Sequence, residues 1–167
     1  RHYYRHKVPA LCVDNSVLTQ SLAIIEYLNE RYPEPALLPE NLLAKAQVRA
    51  MAQQIAIDIH PLNNLRVLNY LKDNFNCSDS EKTQWISHWI SKGFAALEQT
   101  LAMQNKSTGL SERQYCFGSQ PSLADICLIP QVYNAKRFDV AMHDYPNINA
   151  IVKHCNSLPA FITAAPK

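Results

Sequence analysis

Gln20 and Ser21 stand where the chain changes from a β-rich run to a helical one. A serine at such a point can cap the helix, or its hydroxyl and the unpaired N–H groups of the first turn can hold an anion, which the helix dipole also favours. Arg137 closes another helical run. A guanidinium there either settles the negative end of the dipole or grips a carboxylate with two parallel donors. His60 precedes Pro61 inside a long apolar pattern, and Asn64 and Arg66 follow it closely. A lone histidine on a helix is more often structural than functional. On an ideal helix Arg66 projects about 120° away from His60, so one pocket uses both only if a kink or a partner subunit brings them together.

Other chemistries lack their residues. The five cysteines (Cys12, Cys77, Cys116, Cys127 and Cys155) form no CxxC pair, and their odd number suits no closed disulfide framework, so reduced, largely buried thiols are expected. The six histidines form no HExxH spacing, and no metal site is expected. With only Gly93, Gly109 and Gly118, the chain contains neither GxGxxG nor GxxxxGK, which excludes dinucleotide and nucleoside-triphosphate loops. Sixteen Lys and Arg against 14 Asp and Glu leave a formal charge of +2, no footprint for nucleic acid. The basic run over residues 1–7 reads as a solvated segment. No stretch is long and apolar enough for a membrane span and no leader pattern opens the chain, so the cytoplasm is the expected address.

The elements that must position these residues follow from periodicity. Val8 to Val13 is β-rich, Asp14-Asn15-Ser16 is a turn cluster and Val17-Leu18 is a return strand. From Gln20, Leu22, Ile25, Leu28 and Tyr32 recur at helical spacing, until Pro33 and Pro35 stop the ladder. A proline-bearing connection leads to a helical remainder. An apolar stripe over residues 43–75 runs straight through Pro61, which predicts one kinked helix or two nearly collinear ones, since Pro61 must release the carbonyl of Ile57. Ser78 and Glu81 form a capping box for a helix with core face Ile86, Trp89, Ile90, Phe94, Leu97 and Leu101, with Trp85 also expected in the core. Residues 105–114 read as a polar loop. Ser122 and Asp125 start a helix ending near Phe138, and helices follow from Pro146 and Pro159. Asp125 is assigned to capping. A lone two-stranded hairpin is not stable in isolation, so the strands need further sheet or another surface.

The segments VPAL (8–11), LTQSLAIIEYLNERYP (18–33), DIHPLNNLRVL (58–68) and SLADICLIPQVYNAKRF (122–138), with YPNI and LPAF beyond, resemble the glutathione transferases, and within them the zeta class of maleylacetoacetate isomerases. The resemblance covers residues 8–167. It implies the glutathione transferase fold: a partial thioredoxin-like α/β domain over residues 1–35, a linker over 36–41 and an all-helical domain over 42–167. The family's opening strand and helix, with their serine-bearing motif, have no counterpart in residues 1–7. The hydroxyl that activates the glutathione sulfur is therefore expected in a missing N-terminal segment, and no catalytic residue is assigned.

The resemblance also implies roles. A cis Val8–Pro9 bond would turn the backbone of Val8 toward the cysteinyl part of glutathione. Gln20 and Ser21 would hold the γ-glutamyl end, His60, Asn64 and Arg66 would contribute to the glutathione site, and Arg137, with His60, would bind an acidic substrate. The implied reaction is glutathione-dependent cis–trans isomerisation of maleylacetoacetate in tyrosine and phenylalanine breakdown, by a homodimer. Maleylpyruvate or another substrate, a non-catalytic glutathione- or protein-binding module of the same fold, and a helical interaction scaffold are the alternatives.

Overall fold

The computed structural model describes residues 9–109 and 113–166. Val8, and with it the Val8–Pro9 bond, lies outside the described residues. Strand β1 (Ala10–Val13) pairs antiparallel with β2 (Ser16–Thr19), in a register that sets Ala10 opposite Thr19 and Val13 opposite Ser16. The two-residue turn takes Asp14 into the left-handed region (φ 50°), which Asp tolerates because its short side chain bonds locally. Helix α1 (Ser21–Arg31) packs on both strands, with Ile24 buried beneath it, and ends at Tyr32 ahead of Pro33.

The connection that follows is fastened on both sides. Leu37 donates its N–H to Asn29 Oδ1 of α1 at 2.6 Å and accepts at its carbonyl from the N–H of Leu123 at 2.9 Å. Beside it, Arg49 grips Glu26 with two bonds, Nε to Oε1 at 3.1 Å and Nη2 to Oε2 at 2.7 Å. The hairpin and α1 are thereby tied to the helices beyond.

Helix α2 (Leu42–Gln53) is capped by Asn41, whose Oδ1 accepts from the Ala44 N–H at 3.0 Å. The apolar stripe then continues while the backbone does not. Residues Gln54–Ile59 form a π-helical turn, His60–Asn63 a 3₁₀ turn, and Asn64 is extended before α3 (Leu65–Phe75) begins. Of the two arrangements foreseen, one kinked helix or two nearly collinear ones, the chain forms two helices, with a break between them. Pro61 has no N–H to give, and the wider π turn and tighter 3₁₀ turn absorb the lost bond before the ladder restarts. Side-chain spacing could not reveal this, because Ile55 and Ile59 stay on the buried side throughout.

Helix α4 (Asp79–Thr108) opens with the foreseen capping box: Ser78 donates its N–H and hydroxyl to Glu81 Oε2 at 2.8 and 2.7 Å, and Glu81 returns its N–H to Ser78 Oγ. Its 30 residues make a rod of about 45 Å. Ile86, Ile90, Phe94, Leu97 and Leu101 are buried along one stripe. The polar loop begins later than its composition suggests. Residues 105–108 continue the helix, which stops only at Gly109, left-handed at φ 69°, and the Ser107 and Thr108 hydroxyls bond back to the Gln104 carbonyl in its last turn. The tryptophans also differ from expectation. Both are half-buried at the margin of α4, Trp89 lying edge-on to Trp85 with Lys92 5.5 Å above its ring.

Helices α5 (Leu123–Arg137), α6 (Pro146–Cys155) and α7 (Pro159–Ala164) complete the bundle. Leu128, Val132 and Ala135 of α5 and Ile148, Ile151 and Val152 of α6 close the core against α4 and the π turn. Asp125 caps α5 as foreseen, accepting the Ser122 N–H and hydroxyl at 2.8 and 2.7 Å. No helix among the described residues is long and apolar enough to cross a membrane.

Burial pushes the Cys127 thiol up to about 11 and the Cys155 thiol up to about 12, from an ordinary 9.0, and Cys116 also upward. An acid whose folded pKa is raised favours folding below its unfolded value and loses that contribution as pH rises toward the folded one. Stability should therefore fall between pH 9 and about 11–12, read as a declining urea midpoint. At neutral pH iodoacetamide should label exposed Cys12 and spare Cys116 and Cys155 until the chain unfolds, and mass spectrometry distinguishes the two cases.

Candidate functional site

Three separate elements carry the residues singled out in the sequence. The first is the entry to α1. Gln20 is the residue before the helix and has φ 72° and ψ 116°, a conformation that costs a non-glycine residue about 1–3 kcal/mol and that clusters at ligand-holding sites. Its side chain makes no capping bond, and the first turn contains no acidic residue. The first ladder bond runs from the Ile24 N–H to the Gln20 carbonyl at 3.0 Å, so the N–H groups of Ser21, Leu22 and Ala23 point out of the helix end without a ladder partner. Ser21 is exposed, with its hydroxyl beside them. Uncapped amides, the positive end of an 11-residue helix and a strained residue at its mouth together suit a carboxylate.

The second element is the junction of the π and 3₁₀ turns with α3. His60 opens the 3₁₀ turn and is exposed, donating its backbone N–H to the Ile55 carbonyl. Asn64 is the cap of α3, its Oδ1 accepting from the Arg66 N–H at 3.1 Å. The break between helices puts His60 on the 3₁₀ turn, Asn64 at the cap of α3 and Arg66 in its first turn. Asn64 thus has a capping role that the spacing did not disclose.

The third is the end of α5. Arg137 is exposed, its guanidinium carbon 5.8 Å from the Phe138 ring centre, and no carboxylate pairs with it among the described residues. It is a cation propped on an aromatic ring, in reach of solvent-borne anions.

No hydrogen bond or ion pair joins these three groups among the described residues. Nor do two of the cavities include them. One, about 300 Å³, lies between residues 36–40, Val48 and residues 117–122; the other, about 550 Å³, lies beside β1 and the outer side of α1. Among the described residues no three His, Cys, Asp or Glu side chains converge as metal ligands would.

Sequence reasoning missed the residues that hold the second element from behind. Trp85 of α4 donates its indole N–H to the Leu62 carbonyl at 2.8 Å, and Gly93 of α4 lies directly against Ile59. A glycine inside a strongly helical pattern was the available signal, since it costs about 1 kcal/mol relative to alanine unless close packing requires it.

Comparison with known proteins places the chain. Family models match over residues 2–36 (Glutathione S-transferase, N-terminal domain) and 83–154 (Glutathione S-transferase, C-terminal domain). A probable maleylacetoacetate isomerase of Vibrio cholerae is 49% identical over 160 residues, 96% of this chain and 71% of its own length. A holo maleylpyruvate isomerase, described as a bacterial zeta-class glutathione S-transferase, superposes with a TM-score of 0.89 at 46% identity, over 95% of this chain and 73% of that one. A maleylacetoacetate isomerase from Anaeromyxobacter dehalogenans, solved with glutathione in its active site, superposes with a TM-score of 0.84 at 35% identity, over 97% and 72%. Similarity of this extent, reaching through the hairpin and the whole helical bundle in order, makes the chain a member of the glutathione transferase family, in its zeta class.

Proposed function

We propose that the protein binds glutathione at the entry to α1 and acts as a glutathione-dependent cis–trans isomerase of a maleyl-substituted keto acid, with maleylacetoacetate as the first substrate. The observation that carries this reading is the uncapped amide end of α1 behind the strained Gln20. Glutathione, when bound, supplies the thiol that adds reversibly to the cis double bond.

The chain's own residues bind and orient. The Ser21 N–H and hydroxyl, with the amides beyond, hold the γ-glutamyl carboxylate, and Gln20 reaches the amino-acid end. Val8, which lies outside the described residues, is the candidate for contact with the cysteinyl portion. His60, Asn64 and Arg66 approach from the turn before α3, and Arg137 anchors a substrate carboxylate while His60 supports charge that develops beside it. Residues 1–35 serve as the glutathione-binding unit, 36–41 as the connection and 42–167 as the substrate side. Exposed Leu42, Leu65, Leu43 and Tyr70 (81, 73, 69 and 59% accessible) offer α2 and α3 as the face of a homodimer. Tyrosine and phenylalanine breakdown in the cytoplasm is the setting this substrate implies. Maleylpyruvate is the second reading, because a holo maleylpyruvate isomerase superposes as well as any relative described above.

Calorimetric titration with glutathione and turnover of each acid test the proposal. Ser21→Ala should weaken glutathione about tenfold, the loss of a charge-assisted hydrogen bond, with little change in thermal midpoint. Arg137→Ala should raise KM for the dicarboxylate about tenfold or more while glutathione affinity holds. Absence of glutathione uptake by the unaltered protein overturns the reading, and an equal effect of Arg137→Ala on both ligands overturns the clamp.

A further inference from the structure

The turn that carries His60 and Asn64 departs from the α-helical ladder, bonding instead in the wider π and tighter 3₁₀ patterns. Between Gln54 and Asn63 the regular helical ladder is lost, and at the Leu62 carbonyl it is lost completely, because the Arg66 N–H that a continuing helix would offer is turned to Asn64 Oδ1. Such backbone is sensitive to what packs against it. Helices α2, α4 and α5 all touch the π turn, and two contacts from α4 bracket His60.

Ahead of His60 is Ile59, 1% exposed and pressed against Gly93. A Cβ on residue 93 would stand 2.3 Å from Ile59 Cγ1 and 2.4 Å from Cδ1, inside any real contact distance, so the approach exists only because residue 93 has no side chain. Behind His60 is Leu62, whose freed carbonyl accepts the Trp85 indole N–H at 2.8 Å. Trp85 and Gly93 are eight residues apart, two turns along one side of α4, and Asn63 Nδ2 stitches the bracketed segment internally by donating to the Ile59 carbonyl at 3.3 Å.

We infer that Trp85 and Gly93 are positioning residues that set where His60 and Asn64 stand, and through them the affinity for glutathione and the dicarboxylate. This rests on the assignment of His60 and Asn64 to the glutathione site proposed above. Neither α4 residue touches a ligand. Trp85 supplies a donor where the broken ladder leaves an acceptor, and Gly93 supplies the depth at which the π turn beds.

The test uses the whole protein and starts from Trp85→Phe, which keeps an aromatic ring against Trp89 and removes the donor. Glutathione affinity by calorimetry should fall about fivefold, the factor equivalent to one net hydrogen bond. KM for the acid should rise with kcat little changed, and the His60 ring-proton NMR signals should shift in the ligand-free protein. In the His60→Ala background the Trp85→Phe effect on KM should largely vanish, since the residue it positions is gone. Gly93→Ala should weaken binding more strongly, and Ile59→Ala, which removes the clashing Cγ1 and Cδ1, should recover much of the loss. That rescue keeps the test usable where Gly93→Ala alone folds poorly.

If the unaltered protein binds glutathione while Trp85→Phe lowers only the thermal midpoint, leaving affinity, KM and the His60 signals in place, Trp85 is structural and the inference is overturned. Additive effects of Trp85→Phe and His60→Ala on KM for the acid, to which Asn64 is not assigned, overturn it equally. Failure of the unaltered protein to bind glutathione removes instead the assignment on which it rests.

Discussion

Asp125→Ala is expected to lower stability by about 4 kcal/mol, about 8–16 °C in thermal midpoint for a domain of this size. The carboxylate is fully buried and accepts three bonds: from the Cys116 N–H at 2.7 Å, the Ser122 N–H at 2.8 Å and the Ser122 hydroxyl at 2.7 Å. Alanine removes every acceptor and leaves buried donors that water cannot reach. The loss exceeds that of an ordinary exposed cap, about 1 kcal/mol, because two chain segments depend on the same side chain. Asp125→Asn, which keeps the shape but turns one acceptor into a donor, should fall between. A loss near 1 kcal/mol for the alanine variant would mean that the Cys116 bond contributes nothing.

The second large effect belongs to Arg113, buried at 6% exposure. Its guanidinium donates to Asn105 Oδ1 at 2.8 Å, to the Cys116 carbonyl at 2.7 Å, and to the Tyr115 and Leu101 carbonyls at 3.3 Å. Burial pushes its pKa below the ordinary arginine value and nearby acidic groups oppose that, so the group stays charged. Its place in the fold explains how a buried cation is tolerated. The Tyr115–Cys116 peptide offers its oxygen to Arg113 and its N–H to Asp125, and so lies with its dipole between the two charges. Arg113→Met should cost about 3–5 kcal/mol by stranding three carbonyls, read from urea denaturation. Arg113→Lys should recover only part, since an ammonium cannot span the fork. Because both charges act on one peptide, Arg113→Met with Asp125→Ala should be less destabilising than the sum.

Much of this fold was legible in the residues because the signals were local. The Asp14-Asn15 turn, the Ser78 and Glu81 box and the Ser122 and Asp125 start each declare themselves within four positions, and each stands where it was expected. What escaped was decided by distant partners. An apolar stripe reads the same through an α, π or 3₁₀ turn as long as Ile55 and Ile59 face inward, so the break before α3 was hidden. Arg113 sits in a polar stretch that reads as solvated loop, yet Leu101 and Asn105 draw it inside. Trp85 reads as core, whereas its indole donor has gone to a carbonyl 23 positions away. The candidate site divides in the same way. The helix start at Gln20–Ser21 could be read directly from the change of period, whereas the cap that Asn64 places on α3 after the 3₁₀ turn depended on a backbone break that only the folded chain reveals.

Leu37 has a consequence for how the parts of the chain can move. Its amide is engaged by α1 and its carbonyl by the start of α5, and the Glu26–Arg49 pair lies alongside. A segment fastened on both sides makes a poor hinge, since swinging α1 away from α5 breaks these bonds together. Motion at exposed side chains such as Gln20, His60 and Arg137 is instead rotamer reorientation, far faster than hinge motion.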